Sequence, residues 1–209
     1  MARGIADPAR AVIGGWSWGG YITLMEVGTH PELWVAGIAG VPVGDYELSY
    51  DDMSPELQAY DRALLGGAPA DVPDLMRERN PINFADRVTA PVMFIIGEND
   101  SRCPFRQAMA YVDRLKDRGH PHEVYLFGTG HSSFDIEEEI HQQRAILEFL
   151  TRTVPVASGR ISEPPQSSPL PVSEPVNSLR IRLYWPNRKP ISRPPTPMSP
   201  AGTSVCGPM

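Results

Sequence analysis

Six successive residues, Pro91–Ile96, are apolar. A strand with one face in water alternates apolar and polar side chains. A strand that is apolar throughout must be covered on both faces, which is the condition of a parallel strand between layers of helix. Three further short runs, Ala11–Gly14, Val35–Ala39 and Glu123–Phe127, have strand character, and each of the four is followed by helical sequence. The helical segments are Ser17–Thr29 (Gly28 near its end, Pro31 beyond), Pro55–Leu65, Val72–Arg79, Pro104–Lys116 (Pro104 in the first turn, Gly119 after the end) and Asp135–Leu150. This alternation predicts an α/β fold with a parallel sheet of about four strands and helices on its faces.

The pattern stops near residue 152. Of 23 prolines in 209 residues, 13 fall in residues 153–209. That segment also carries six basic residues against Glu163 and Glu174, although the whole chain has a net charge of −6. A Pro/Ser-rich stretch with few apolar residues buries too little surface to offset the entropy of ordering it. The sequence therefore predicts two parts: an α/β domain over 1–152 and a disordered tail over 153–209 with polyproline-like pieces. Leu179–Trp185 alternates weakly and is a candidate strand without an evident partner. Pro197–Pro200 matches PxxP, a pattern that arises easily in such composition. A translated frameshift would also produce such a tail.

The acidic balance argues against nucleic acid as a partner, which would call for a basic face. No apolar run approaches the ~20 residues needed to cross a bilayer, and the first residues lack the apolar stretch of a signal peptide. Cys103 and Cys206 are the only cysteines, too few for a disulfide framework. A cytoplasmic location, away from membranes, is expected. Asn99-Asp100-Ser101 matches a glycosylation sequon, which carries little weight without a secretion signal.

The heptapeptide Gly14-Gly15-Trp16-Ser17-Trp18-Gly19-Gly20 contains G-x-S-x-G between a strand signal and a helix signal. That context raises it above an ordinary glycine turn, because it lifts a serine hydroxyl above the sheet. A serine becomes a nucleophile when a histidine takes its proton and a carboxylate orients the histidine. In a parallel α/β sheet these groups belong on loops at the carboxyl ends of strands. Ser17 follows the first strand, Asp100 follows Pro91–Ile96 in Gly97-Glu98-Asn99-Asp100, and His131 follows Glu123–Phe127 in Gly128-Thr129-Gly130-His131. The order Ser, Asp, His is that of the α/β-hydrolase fold. Taken singly, Asp100 reads as a turn or cap residue before Pro104, and His131 as a cap for the helix at Asp135. His30, His120, His122 and His141 are rival bases, but none sits in a glycine loop directly after a strand. His120-Pro121-His122 would offer a metal pair without a third ligand at useful spacing, and marks the start of a strand instead. No metal and no cofactor are expected.

Gly15-Trp16-Ser17-Trp18-Gly19-Gly20-Tyr21, Asn80-Pro81-Ile82, Pro91-Val92 through Gly97-Glu98-Asn99-Asp100-Ser101-Arg102, and Gly130-His131 together resemble the catalytic domain of the prolyl oligopeptidase family of serine peptidases. The resemblance runs from about residue 7 to about 151 and is nearest the dipeptidyl-peptidase and acylaminoacyl-peptidase branches. It implies a triad of Ser17, Asp100 and His131, acting on short peptides through an acyl-enzyme. It also implies that Arg102 holds a substrate backbone carbonyl, its planar fork suiting that task; the alternative for Arg102 is a surface salt bridge. The amide of Trp18, next to the nucleophile, would serve as one oxyanion donor. The family's second donor comes from well upstream of the serine. Trp18, Val43 and Tyr46 are candidates for the substrate pocket, with core packing as the equal alternative.

Family members carry a β-propeller and about half of the hydrolase sheet before the serine. The chain thus resembles the C-terminal part of a catalytic domain. Activity is expected to be impaired, and Ala11–Gly14 is expected to form an open strand edge through which the chain self-associates. An inactive remnant that only interacts, and an esterase of the same fold, are the competing readings. The Asp100-Ser101-Arg102 block favours peptidase over esterase.

Overall fold

The computed structural model describes residues 7–155. The sheet has four strands, β1 (Val12–Trp16), β2 (Ala36–Gly40), β3 (Val92–Gly97) and β4 (His122–Phe127), in the order β1-β2-β3-β4. All three pairings are parallel, with Val12 opposite Ala36, Gly37 opposite Val92, and Val92 opposite His122. The helices are α1 (Trp18–Thr29), α2 (Tyr46–Asp52), α3 (Pro55–Leu65), α4 (Pro73–Arg79), α5 (Phe105–Asp117) and α6 (Ile136–Thr153).

β3 explains the layering. All six of its residues are buried. Val92, Phe94 and Ile96 point to one face, where they meet Leu24 and Val27 of α1 and Tyr111 and Leu115 of α5. Met93 and Ile95 point to the other, where they meet Phe149 of α6 and Phe127 of β4. Each such side chain contributes about 1.5–3 kcal/mol on burial, so a run that is apolar on both faces is stable only between two layers. Among the described residues, β1 and β4 form the sheet edges.

The expected strands and helices are present with boundaries shifted by up to two residues, except that α6 continues three residues past the expected Leu150 to Thr153. Pro104 precedes α5 as its cap instead of lying in the first turn. Asp135 caps α6, its carboxylate accepting from the Glu137 amide at 3.0 Å. α2 was not foreseen. His120 Nε2 donates to the Ala90 carbonyl at 2.9 Å, and His122 opens β4. Leu179–Trp185, the PxxP match and Cys206 lie outside the described residues, as does the tail from residue 156 on.

Candidate active site

Ser17 stands between β1 and α1 with φ 57° and ψ −118°, a conformation that non-glycine residues avoid. Its amide donates to the Gly40 carbonyl at 2.9 Å, and its carbonyl accepts from Tyr21 at 2.9 Å, so sheet and helix both hold the turn. The turn is tight enough that a Cβ on Gly15 would lie 2.7 Å from the Gly19 backbone. Gly15 is therefore a steric requirement of the serine's position, whereas a Cβ on Gly19 would meet open space.

Asp100 lies just past the end of β3. One carboxylate oxygen, Oδ1, accepts from the amides of Arg102 (2.8 Å) and Cys103 (3.0 Å). The other, Oδ2, is 2.8 Å from His131 Nδ1. An ionised carboxylate only accepts, so Nδ1 carries the hydrogen and Nε2 presents a lone pair. His131 Nε2 is 2.8 Å from Ser17 Oγ, in position to receive its proton. The Asp100 side chain is 1% exposed and that of His131 20%, a base reachable from solvent resting on a buried orienting group. The two loops are tied together: Asn99 donates from its amide to the Thr129 carbonyl at 3.1 Å and from Nδ2 to the Gly128 carbonyl at 2.8 Å. They pass so closely that a Cβ on Gly97 would come 2.1 Å from the Gly130 carbonyl oxygen.

Beside the serine lies a cleft of ≈ 290 Å³. Trp18, Val43, Tyr46 and Arg102 all line it. Trp18 and Tyr21 meet edge to face at 5.4 Å, as do Tyr21 and Tyr46 at 5.9 Å. Val43 and Tyr46 also belong to a buried cluster with Met76 and Cys103, so lining and packing coexist in the same side chains. Burial holds the Tyr46 hydroxyl well above the usual phenol range. Two buried amides fix the loop that carries these residues. Gln107 Oε1 accepts from Gly44 at 2.6 Å and Asp45 at 3.2 Å, while its Nε2 donates to the Pro42 carbonyl at 2.8 Å. Asn80 Oδ1 accepts from Tyr46 at 2.9 Å, and its Nδ2 donates to Asp45 at 3.1 Å.

Residues 1–156 match the prolyl oligopeptidase family. The chain belongs to this family. It is 32% identical over 143 residues to an acylamino-acid-releasing enzyme of Arabidopsis thaliana, covering 65% of this chain and 18% of that protein. It is 28% identical over 156 residues to dipeptidyl peptidase family member 6 of Caenorhabditis elegans, covering 72% and 21%. Among solved structures, a puromycin-hydrolyzing peptidase of Mycobacterium tuberculosis superposes with TM-score 0.68 at 27% identity, covering 73% of this chain and 23% of that one. The chain thus spans about a fifth of the length of these curated relatives. The four parallel strands and their helices are an α/β-hydrolase sheet of this family's kind.

Within this family frame, Ser17, Asp100 and His131, 83 and 31 residues apart, meet at the carboxyl ends of three strands. The rival histidines are elsewhere: His30 contacts Glu26 and Thr29, His120 and His122 bond backbone carbonyls, and His141 is exposed on α6. Arg102 makes no ion pair among the described residues, unlike its surface salt-bridge alternative. Two residues of the site were not foreseen. Cys103 Sγ, Asp100 and His131 have ligand atoms within 4.8 Å of one another. Burial, and then the Asp100 charge, pushes the Cys103 thiol up to about 12, so it stays protonated. Asp61 lines the same cleft from α3. Asp61 has no sequence signal, because a helix residue distant from any motif reaches the site only through tertiary packing; Cys103 directly follows the Asp100-Ser101-Arg102 block, but a lone cysteine there carries no signal of its own.

Proposed function

We propose that this chain is a serine peptidase of the prolyl oligopeptidase type, acting on short peptides through an acyl-enzyme. The observation that carries the reading is the unbroken relay from Ser17 Oγ through His131 to Asp100, with both contacts at 2.8 Å. Ser17 Oγ attacks the scissile carbonyl carbon as His131 Nε2 takes the hydroxyl proton. Asp100 holds the ring in the productive tautomer and stabilises the imidazolium. The same Nε2–H then protonates the leaving amine as the C–N bond breaks. A water, deprotonated by His131, attacks the ester, and Ser17 recovers its proton. The Trp18 amide, at the start of α1, is the assigned oxyanion donor, favoured by the positive end of the helix.

Arg102 is assigned to a substrate carbonyl, and Trp18, Val43 and Tyr46 to the side chain next to the scissile bond. The reading names one oxyanion donor, and a site short of a second is expected to acylate about 10²–10³ more slowly than one with two. The family's peptide chemistry and the relay support a hydrolase over a binding remnant. The test is intact-mass detection of an acyl adduct after mixing with a blocked dipeptide ester. An adduct on Ser17 that fails to form in His131→Ala supports the reading. A folded native chain that never acylates would refute it.

A further inference from the structure

Asp61 is the only buried residue of α3. It is 4% exposed, and its Oδ2 is buried without a hydrogen-bond partner among the described residues. A carboxylate removed from water with no compensating bond is strongly disfavoured, and native structures seldom keep one without a reason. Burial alone pushes the Asp61 carboxyl above the usual carboxylate range. Among the described residues, none forms an ion pair with it. Arg102 lines the same cleft but makes no ion pair with it. Arg62, the next residue, donates instead to the Tyr50 hydroxyl at 2.7 Å. Tyr60 precedes Asp61 on α3, and the titratable neighbours facing it across the cleft, Tyr46 and Cys103, are neutral groups. Tyr46 and Cys103 are driven further toward neutrality in part by Asp61 itself.

We propose that Asp61 determines specificity: the cleft receives a cationic group, an ammonium or a guanidinium, on the residue whose carbonyl Ser17 attacks, and Asp61 is its counter-ion. This rests on the peptidase reading for the term "substrate", but the binding chemistry stands apart from turnover. A site built around an unsatisfied polar group rejects ligands that leave it unsatisfied far more strongly than a greasy pocket rejects a missing methylene. The aromatic walls add to this, because they accept the stem of a long basic side chain and leave its charged head for the carboxylate.

The test is direct binding to the full chain, followed by tryptophan fluorescence, with three ligands: Nα-acetyl-lysine methylamide, Nα-acetyl-norleucine methylamide, and norleucine methylamide with its amino group free. The expected result is lysine binding at least about tenfold tighter than acetyl-norleucine in the native chain, with the ratio falling to about one in Asp61→Asn. If the free-amine norleucine gains the advantage instead, and Asp61→Asn erases it, the cation is the α-ammonium and the counter-ion role holds. Equal binding of all three by the native chain overturns the proposal, whatever the variant does. A preference that persists in Asp61→Asn also overturns it. A chain that discriminates these ligands but forms no acyl adduct would remove the peptidase reading and leave Asp61 assigned.

Discussion

At Ser17 and Asp61 the chain holds two residues in states that their own chemistry disfavours. The serine has a positive φ of 57°, and the aspartate is buried with an oxygen unbonded. Such strain collects at functional sites. The Asp61 state has a measurable consequence with a definite sign. Its folded pKa is raised, so the folded chain binds a proton more readily than the unfolded chain. Stability contributed by that proton is present below the ordinary carboxylate pKa and is lost as pH rises through the raised one. Asp61→Asn is therefore expected to melt higher than native at pH 7, by about 2–4 °C for each kcal/mol relieved. The gain should shrink to nothing below the ordinary carboxylate pKa. Thermal melts across pH check this; a variant that melts lower at pH 7 contradicts it. Asp100→Asn is expected to keep the fold and cut acylation by about 10⁴, the scale set by loss of the correct histidine tautomer. Single-turnover acylation rates measure it. The three residues proposed as a triad were legible in the sequence because each lies in a short glycine-bearing block at a strand end. Asp61 was not, because Tyr60-Asp61-Arg62 reads as the polar surface of an amphipathic helix until α3 is folded over the cleft.

At the scale of elements, the site depends on how closely loops approach one another. Gly97 lets the β3 loop pass under the β4 loop, so Gly97→Ala must displace the Gly130 carbonyl and with it His131. Displacements of about 1 Å typically cost ~10²-fold in rate. Gly97→Ala is expected to lose about that factor in acylation while keeping a native far-ultraviolet circular dichroism spectrum. Gln107 plays the corresponding part for the cleft wall proposed to receive substrate. Gln107→Ala leaves the Gly44 and Asp45 amides without their acceptor and is expected to lower stability by about 1–3 kcal/mol. Denaturant titration checks it. The strand and helix alternation was readable because β3 is apolar on both faces and the helices have proline and glycine at their ends. α2 escaped notice because its seven residues, Tyr46–Asp52, are mostly polar and too short to show a period. Their helix is fixed by the Asp45 cap and by Asn80 from a distant segment.

For the whole molecule, β1 is the open edge toward the serine side of the sheet among the described residues. Unpaired strand edges template association. The chain is expected to gain mass with concentration in light scattering; a constant monomer mass across the range would contradict that expectation. The sheet, the family and the meeting of three strand-end residues follow from local pattern plus chain order, which is why the sequence foretold them. The cleft's charge does not, since it depends on which turn of α3 faces inward. The most direct test of the central claim is labelling of the purified chain with a fluorophosphonate. The account predicts a single adduct, located on Ser17 by peptide mapping and absent in Ser17→Ala. A folded chain that stays unlabelled, or that labels equally in Ser17→Ala, would contradict it.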